Sequence, residues 1–244
     1  MGQNAIEQSI MESSFSSNWK KLWADNRIFF AGFVIFLILG GAVLAMLNQG
    51  DDILFINRHR TPFSDVFFRA FTKLGEVYVY LPVLLLLLFY RYRYALSVPL
   101  LGISVLALSF GFKSLFAHDR PLAFFRKLGL LDQLHFVQGV RVNGGATSFP
   151  SGHTMSAFAI FAFMAFCLPQ KKWVGAILLL VALLVGFSRI YLIQHFFEDV
   201  YFGAILGVLV AMIWYWLQFS ILPFPSSRLD GNLNAEKIKP TPHA

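Results

Sequence analysis

Residues 28–47 run for twenty positions without a charged side chain. A helix rises about 1.5 Å per residue, so this stretch covers about 30 Å, the thickness of a bilayer's hydrocarbon core. Five further apolar runs follow. One begins near Phe71 and ends at Tyr90, and the others are residues 94–112, 154–169, 173–187 and 200–219. A chain with six such runs has few ways to fold. Backbone polar groups inside lipid must be satisfied within their own segment, which leaves helices as the spanning element. Composition agrees: 57% of the 244 residues are hydrophobic, 28 are Phe and only 14% are charged. A soluble domain carries roughly 25% charge. The expected fold is all-α, a polytopic six-transmembrane-helix bundle.

Between the runs the chain is polar in short pieces. Residues 1–27 form a cytoplasmic N-terminal segment too long to be the leader of a signal peptide, so the first helix is expected to be retained. Residues 51–76 interleave Arg58, Arg60, Arg69 and Lys73 with Phe, a pattern that suits an amphipathic segment on the membrane surface. Residues 113–153 make a long extracytoplasmic loop, and 221–244 read as a flexible cytoplasmic tail. The membrane domain is therefore expected over 28–220. Cys167 is the single cysteine, which excludes an intrachain disulfide. The net charge of +7 does not point to nucleic acid, because the basic residues lie in small clusters between apolar runs. Anionic lipid or phosphate is the better partner.

Orientation is not settled by counting charges. Six spans put ten of the 20 Lys and Arg on each side. All five tryptophans (Trp19, Trp23, Trp173, Trp214 and Trp216) fall near the side with the termini, beside the basic turns Arg91–Arg93 and Lys171–Lys172. Several cations of the opposite side belong to a polar cluster. The termini are therefore placed in the cytoplasm.

Three polar constellations then meet at the far face: Lys113 with Arg120-Pro121, Pro150-Ser151-Gly152-His153, and the stretch from Ser188 and Arg189 through His195 to Asp199. Lys113, Arg120 and Arg189 supply cations for phosphoryl oxygens. Ser151 and Gly152 open a helix, where free N–H groups and the dipole favour an anion. His195 and Asp199, four apart, share a face if helical, and a neighbouring carboxylate favours the charged imidazolium. His153 is a candidate proton donor and His195 a candidate nucleophile. Each piece also has a plainer reading: interfacial anchors for the cations, a helix cap for Ser151, a headgroup-level ion pair for His195 and Asp199.

Together the three pieces resemble the tripartite signature of the type 2 phosphatidic acid phosphatase superfamily, in its bacterial membrane lipid phosphatase branch. The resemblance implies a hydrolase that uses no metal and no cofactor. His195 would attack phosphorus to give a phosphohistidine, oriented by Asp199. His153 would protonate the leaving oxygen and then activate water. Lys113, Arg120, Ser151, Gly152 and Arg189 would bind the phosphoryl oxygens. It implies a lipid phosphate or diphosphate as substrate (phosphatidylglycerophosphate, phosphatidic acid, undecaprenyl diphosphate or lipid A type) and a bacterial inner membrane with the site facing outward. Two alternatives share the sequence: a phosphotransferase with a lipid hydroxyl as acceptor, and a lipid transporter. The transporter fits less well, since no internal repeat is visible. Residues 122–147 are the natural specificity element. Phe124, Phe125, Leu130, Leu131 and Phe136 either face acyl chains or close a cap upon themselves. His118, Asp119, His135 and Glu198 are neighbours with no chemistry assigned.

Overall fold

The structure is a computed structural model that describes residues 20–168, 172–220 and 228–234. Expectations for residues 1–19, 221–227 and 235–244 lie outside the described residues. The elements are helical throughout: α1 (Arg27–Met46), α2 (Asp51–Arg58), α3 (Pro62–Phe71), 3₁₀ turns at Thr72–Gly75 and Val77–Val79, α4 (Tyr80–Leu88), α5 (Tyr92–Phe116), α6 (Pro121–Lys127), α7 (Gly152–Cys167), α8 (Lys172–Tyr191) and α9 (Phe197–Ser220). Among the described residues α1, α5, α8 and α9 are long and apolar enough to cross a membrane. The segments Pro62–Gly75 and Val77–Leu88 qualify as a fifth crossing when taken together, bent by 64°.

That bend departs from the sequence reading, which began a single helix near Phe71 and laid the preceding residues on the surface. Thr61 caps α3 through a reciprocal bond with Ser64, and Pro62 sits at the first helical position where its missing N–H costs nothing. The helix then tightens and breaks at Glu76, whose backbone is extended. Gly75 explains the place. A Cβ there would lie 2.9 Å from the His153 carbonyl oxygen, so only glycine lets the break press against the start of α7.

α7 is the centre of the bundle. Thirteen of its sixteen residues are buried, an alternation of Ala and Phe surrounded on all sides. It presents no lipid-facing stripe and, at sixteen residues, is shorter than α1, α5, α8 and α9. α9 approaches it most closely through Gly203 and Gly207, where a Cβ at 207 would come within 2.5 Å of the Met155 carbonyl oxygen. Small residues four apart are what close helix packing in a membrane requires. The outer faces carry exposed Ile35, Ile38, Ile103, Phe110, Leu180 and Ile213, surface that suits lipid and not water.

The two ends of α5 define the two faces of the bundle. Arg93 and Lys113 are twenty residues apart, about 30 Å along a helix. At the first end Arg93 is fully buried and binds Asp230 through two nitrogens, at 3.0 and 3.1 Å. Asp230 keeps partial contact with water, so the pair's chief effect is to leave no unpaired guanidinium inside the bundle. Residues 228–234, inside the stretch expected to be a flexible tail, are thus docked on the bundle, with Leu233 N–H also donating to Leu88 O. At the second end lies the cap formed by residues 122–147. Phe125 is 1% exposed and clusters with Ile53, Leu134, Ile190, Ile193 and Phe196, while Phe124, Leu130 and Leu131 pack around them. Asn57 clamps His135 from both sides, accepting its N–H and donating to its carbonyl at 2.8 Å each. The cap is therefore neither turned to acyl chains nor closed upon itself alone: it docks on α2 and the α8–α9 turn, and of the five residues only Phe136 is well exposed.

Candidate active site

Lys113 stands in the last turn of α5 and Arg120 immediately before Pro121 of α6. The α5 end abuts the start of α7: a Cβ on Gly152 would lie 3.1 Å from Ser109 Oγ and 3.5 Å from Lys113 Nζ. The Lys113 ammonium is thereby held against the helix terminus whose first-turn N–H groups have no intrahelical acceptor. Ser151 caps that terminus. Its Oγ accepts from the Thr154 hydroxyl at 2.8 Å and from Thr154 N–H at 3.4 Å, which leaves its own proton to donate. His153 is the second residue of α7, with its backbone pressed on Gly75.

Arg120 is buried and reaches across the cluster, donating to Gln194 O and Thr147 O at 3.3 Å each. Arg189, at the end of α8, is 7% exposed and donates from Nη1 to Thr72 Oγ1 at 2.7 Å. Its Nε is buried and has no partner among the described residues, a donor held ready for an acceptor. After α8 the chain turns sharply. Ile193 takes a left-handed φ of 57°, and the N–H groups of Gln194 and His195 both donate to Arg189 O. Arg189 therefore anchors the loop that carries His195.

His195 is 2% exposed and Asp199 fully buried, with Nδ1 3.3 Å from Oδ2. The pair is not the in-helix arrangement the spacing suggested. α9 begins only at Phe197, so His195 precedes it, and Asp199 sits in its first turn reaching back to Phe196 N–H at 3.0 Å. A carboxylate three residues inside a helix commonly makes that bond. Ser148, which no sequence signal singled out, donates to the same Oδ2 at 2.5 Å. Thr72, Thr147 and Gln194 were missed for the same reason. Each acts across many residues of chain, and no periodicity reports such contacts.

The charge state of His195 also departs from expectation. Burial, reinforced by the positive charges of Arg189, Arg120 and Lys113, holds its imidazole well below the usual value of 6.5. One carboxylate does not outweigh desolvation and three cations, so the ring is neutral. All eight residues named from the sequence thus lie at one end of the bundle, drawn from α5, the start of α6, the start of α7 and the α8–α9 turn. Around them His118 and Gln49 approach Glu198, and Lys127 pairs with Asp119. An apolar cavity of about 790 Å³ between α1, α2, α8 and α9 is lined by none of those eight; among the described residues its ionisable lining groups are Asp51 and Asp52, acidic groups unsuited to a phosphate. Among the described residues no three His, Cys, Asp or Glu side chains are grouped to hold a metal ion.

A buried imidazole on a carboxylate, beside three cations and a helix N-terminus, is an arrangement chemically able to hold a tetrahedral oxyanion. The chain belongs to the PAP2 superfamily, whose family model matches residues 92–222 and so spans every one of these side chains. It is 30% identical to the lipid A 4'-phosphatase of Bacteroides thetaiotaomicron over 69% of this chain and 76% of that protein. A shorter match, 40% identical, covers 28% of this chain and 38% of phosphatidylglycerophosphatase B from Bacillus subtilis. Among solved structures, LpxE of Aquifex aeolicus aligns with a TM-score of 0.56 and 33% identity over 66% of this chain and 91% of its own. The PAP2-type phosphatidylglycerolphosphate phosphatase of Bacillus subtilis aligns with a TM-score of 0.57 and 26% identity over 82% and 98%.

Proposed function

We propose that the protein is a membrane lipid phosphatase that hydrolyses the phosphomonoester or diphosphate of a lipid through a phosphohistidine. The observation that carries the reading is the buried, neutral His195 pinned at Nδ1 by Asp199, which leaves Nε2 as the free nucleophile. Nε2 attacks phosphorus as the bond to the lipid oxygen breaks, and His153, which takes up a proton from solvent once the phosphate dianion offsets the surrounding cations, gives that proton to the leaving oxygen. His153 then takes a proton from water, whose oxygen attacks the phosphohistidine. Inorganic phosphate leaves and His195 is restored. Lys113, Arg120 and Arg189 balance the oxygens' charge, with the Ser151 hydroxyl and the Gly152 N–H as further donors. These fixed cations do the work a metal does elsewhere, so turnover should persist with chelator present. The named relatives, which include an undecaprenyl-diphosphatase of Bacillus subtilis, support a lipid phosphate as substrate class.

The test is phosphate release by the purified protein from a panel of lipid monophosphates and diphosphates in excess chelator. Release from at least one is expected. None from any, or release only on adding a divalent metal, sinks the reading.

In the bilayer, α7 and the bent pair complete six crossings, and the site faces away from the cytoplasm. Two features support this: the separation of Arg93 from Lys113 by the length of a span, and the position in sequence of the five tryptophans and the basic turns Arg91–Arg93 and Lys171–Lys172, at the ends of the runs away from the site. A cysteine at Leu128, which is exposed on the cap, tests it in a Cys167→Ser background, so that it is the protein's single thiol. An impermeant maleimide added outside right-side-out vesicles should label Leu128→Cys. Labelling only after permeabilisation reverses the topology.

A further inference from the structure

Asp199 Oδ2 collects three contacts: Phe196 N–H at 3.0 Å, His195 Nδ1 at 3.3 Å and the Ser148 hydroxyl at 2.5 Å. The first two come from the same turn as the carboxylate. Ser148 arrives from 51 residues earlier. We propose that Ser148 is a positioning residue for His195, acting through Asp199; this rests on His195 being the nucleophile. Its Oγ is also 3.4 Å from His195 Nδ1, which closes a triangle of hydroxyl, carboxylate and imidazole. Ser148 is fully buried, so water does not stand in for it. Its backbone N–H is tied to His118 O at 3.0 Å, which fixes the hydroxyl relative to the loop bearing Arg120.

The other carboxylate oxygen explains why this donor matters. Asp199 Oδ1 is buried and has no hydrogen-bond partner among the described residues, so the contacts at Oδ2 set the rotation of the group. Without Ser148 the carboxylate turns, the acceptor at Nδ1 is no longer fixed, and Nε2 loses its aim at phosphorus. The sequence hides this role, since Ser148 stands outside the run Pro150-Ser151-Gly152-His153 that carries the phosphate-binding pattern.

The experiment compares Ser148→Ala, Asp199→Asn and the double variant. It reads kcat, KM, inhibition by inorganic phosphate, and the tautomer of His195 by ¹⁵N NMR in detergent, assigned by difference from His195→Gln. Ser148→Ala should lower kcat by about 10- to 100-fold, the usual range for a misaimed reacting group. KM and phosphate inhibition should stay within about twofold, because the anion's own contacts remain. The double variant should be no slower than Asp199→Asn alone. His195 should be protonated only at Nδ1 in the wild type and show both tautomers in Ser148→Ala. Ser148→Cys, close in size but a weaker donor, should fall between, and it serves if the alanine variant does not fold. Unchanged kcat, equal losses in kcat and phosphate binding, additive losses in the double variant, or a cysteine variant as fast as wild type overturns the inference. The NMR arm needs no turnover. A protein that hydrolyses none of the panel thus condemns the functional reading, while a single tautomer in Ser148→Ala condemns this one.

Discussion

Replacing His195 with alanine is expected to leave no measurable turnover on any substrate, lipid or activated. The loss should be on the order of 10⁴-fold or more, since a covalent mechanism has no second route to phosphorus once its nucleophile is gone. Acid-labile, base-stable phosphoprotein, trapped by rapid quench with labelled substrate, should form in the wild type and be absent from the variant. The structure adds a requirement. His195 is 2% exposed, so alanine leaves a cavity and strips Asp199 of its partner. His195→Gln, closer in volume, is the companion variant that separates lost chemistry from lost fold. Substantial phosphate release by a folded variant removes His195 from the nucleophile role.

The same residue sets a pH signature. Burial and the cations around it hold its value well below 6.5 in the folded protein. The ring therefore stays unprotonated as pH falls through 6.5, and kcat/KM loses its nucleophile only at the lower folded value. Once the substrate's own phosphate ionisation is divided out, the acid limb should lie below pH 6.5. Stability runs with the same sign: below 6.5 the unfolded chain takes up a proton that the folded chain refuses, so stability falls as acid is added. A limb at or above 6.5 contradicts a neutral buried nucleophile.

His153→Ala should fail differently. The nucleophile remains, and what is lost is the proton for the leaving oxygen and the base for water. General acid–base assistance is worth about 10²–10⁴-fold, and a lipid alkoxide needs all of it. An activated ester such as p-nitrophenyl phosphate needs little help to leave, so the first step should largely recover. The second step still lacks its base. The phosphoprotein should therefore accumulate in His153→Ala with the activated substrate, where His195→Ala shows none. Equal impairment on lipid and activated ester, without accumulation, assigns the proton transfers to some other group. The structural setting favours the test, because His153 meets Gly75 through its backbone and Cβ, atoms that alanine keeps.

Local chemistry made much of this protein readable. Apolar runs of 15 to 20 residues announce membrane helices because burial in lipid is a property of each stretch by itself. α1, α5, α8 and α9 begin and end within a few residues of where composition places them. The residues of the site were legible because cations, histidines and a carboxylate are expensive at membrane depth and stand out against Phe and Leu. Tertiary structure alone decided the rest. The break at Glu76 depends on Gly75 meeting α7, a contact 78 residues distant that no local pattern encodes. The cap closed around Phe125 because Ile53, Ile190 and Phe196 arrive there from three other segments. The neutral state of His195 follows from burial and from charges on three separate elements, whereas its sequence neighbour Asp199 argues the opposite. Composition and spacing specify which groups a stretch carries; how deeply each is buried, and against what, belongs to the packed chain.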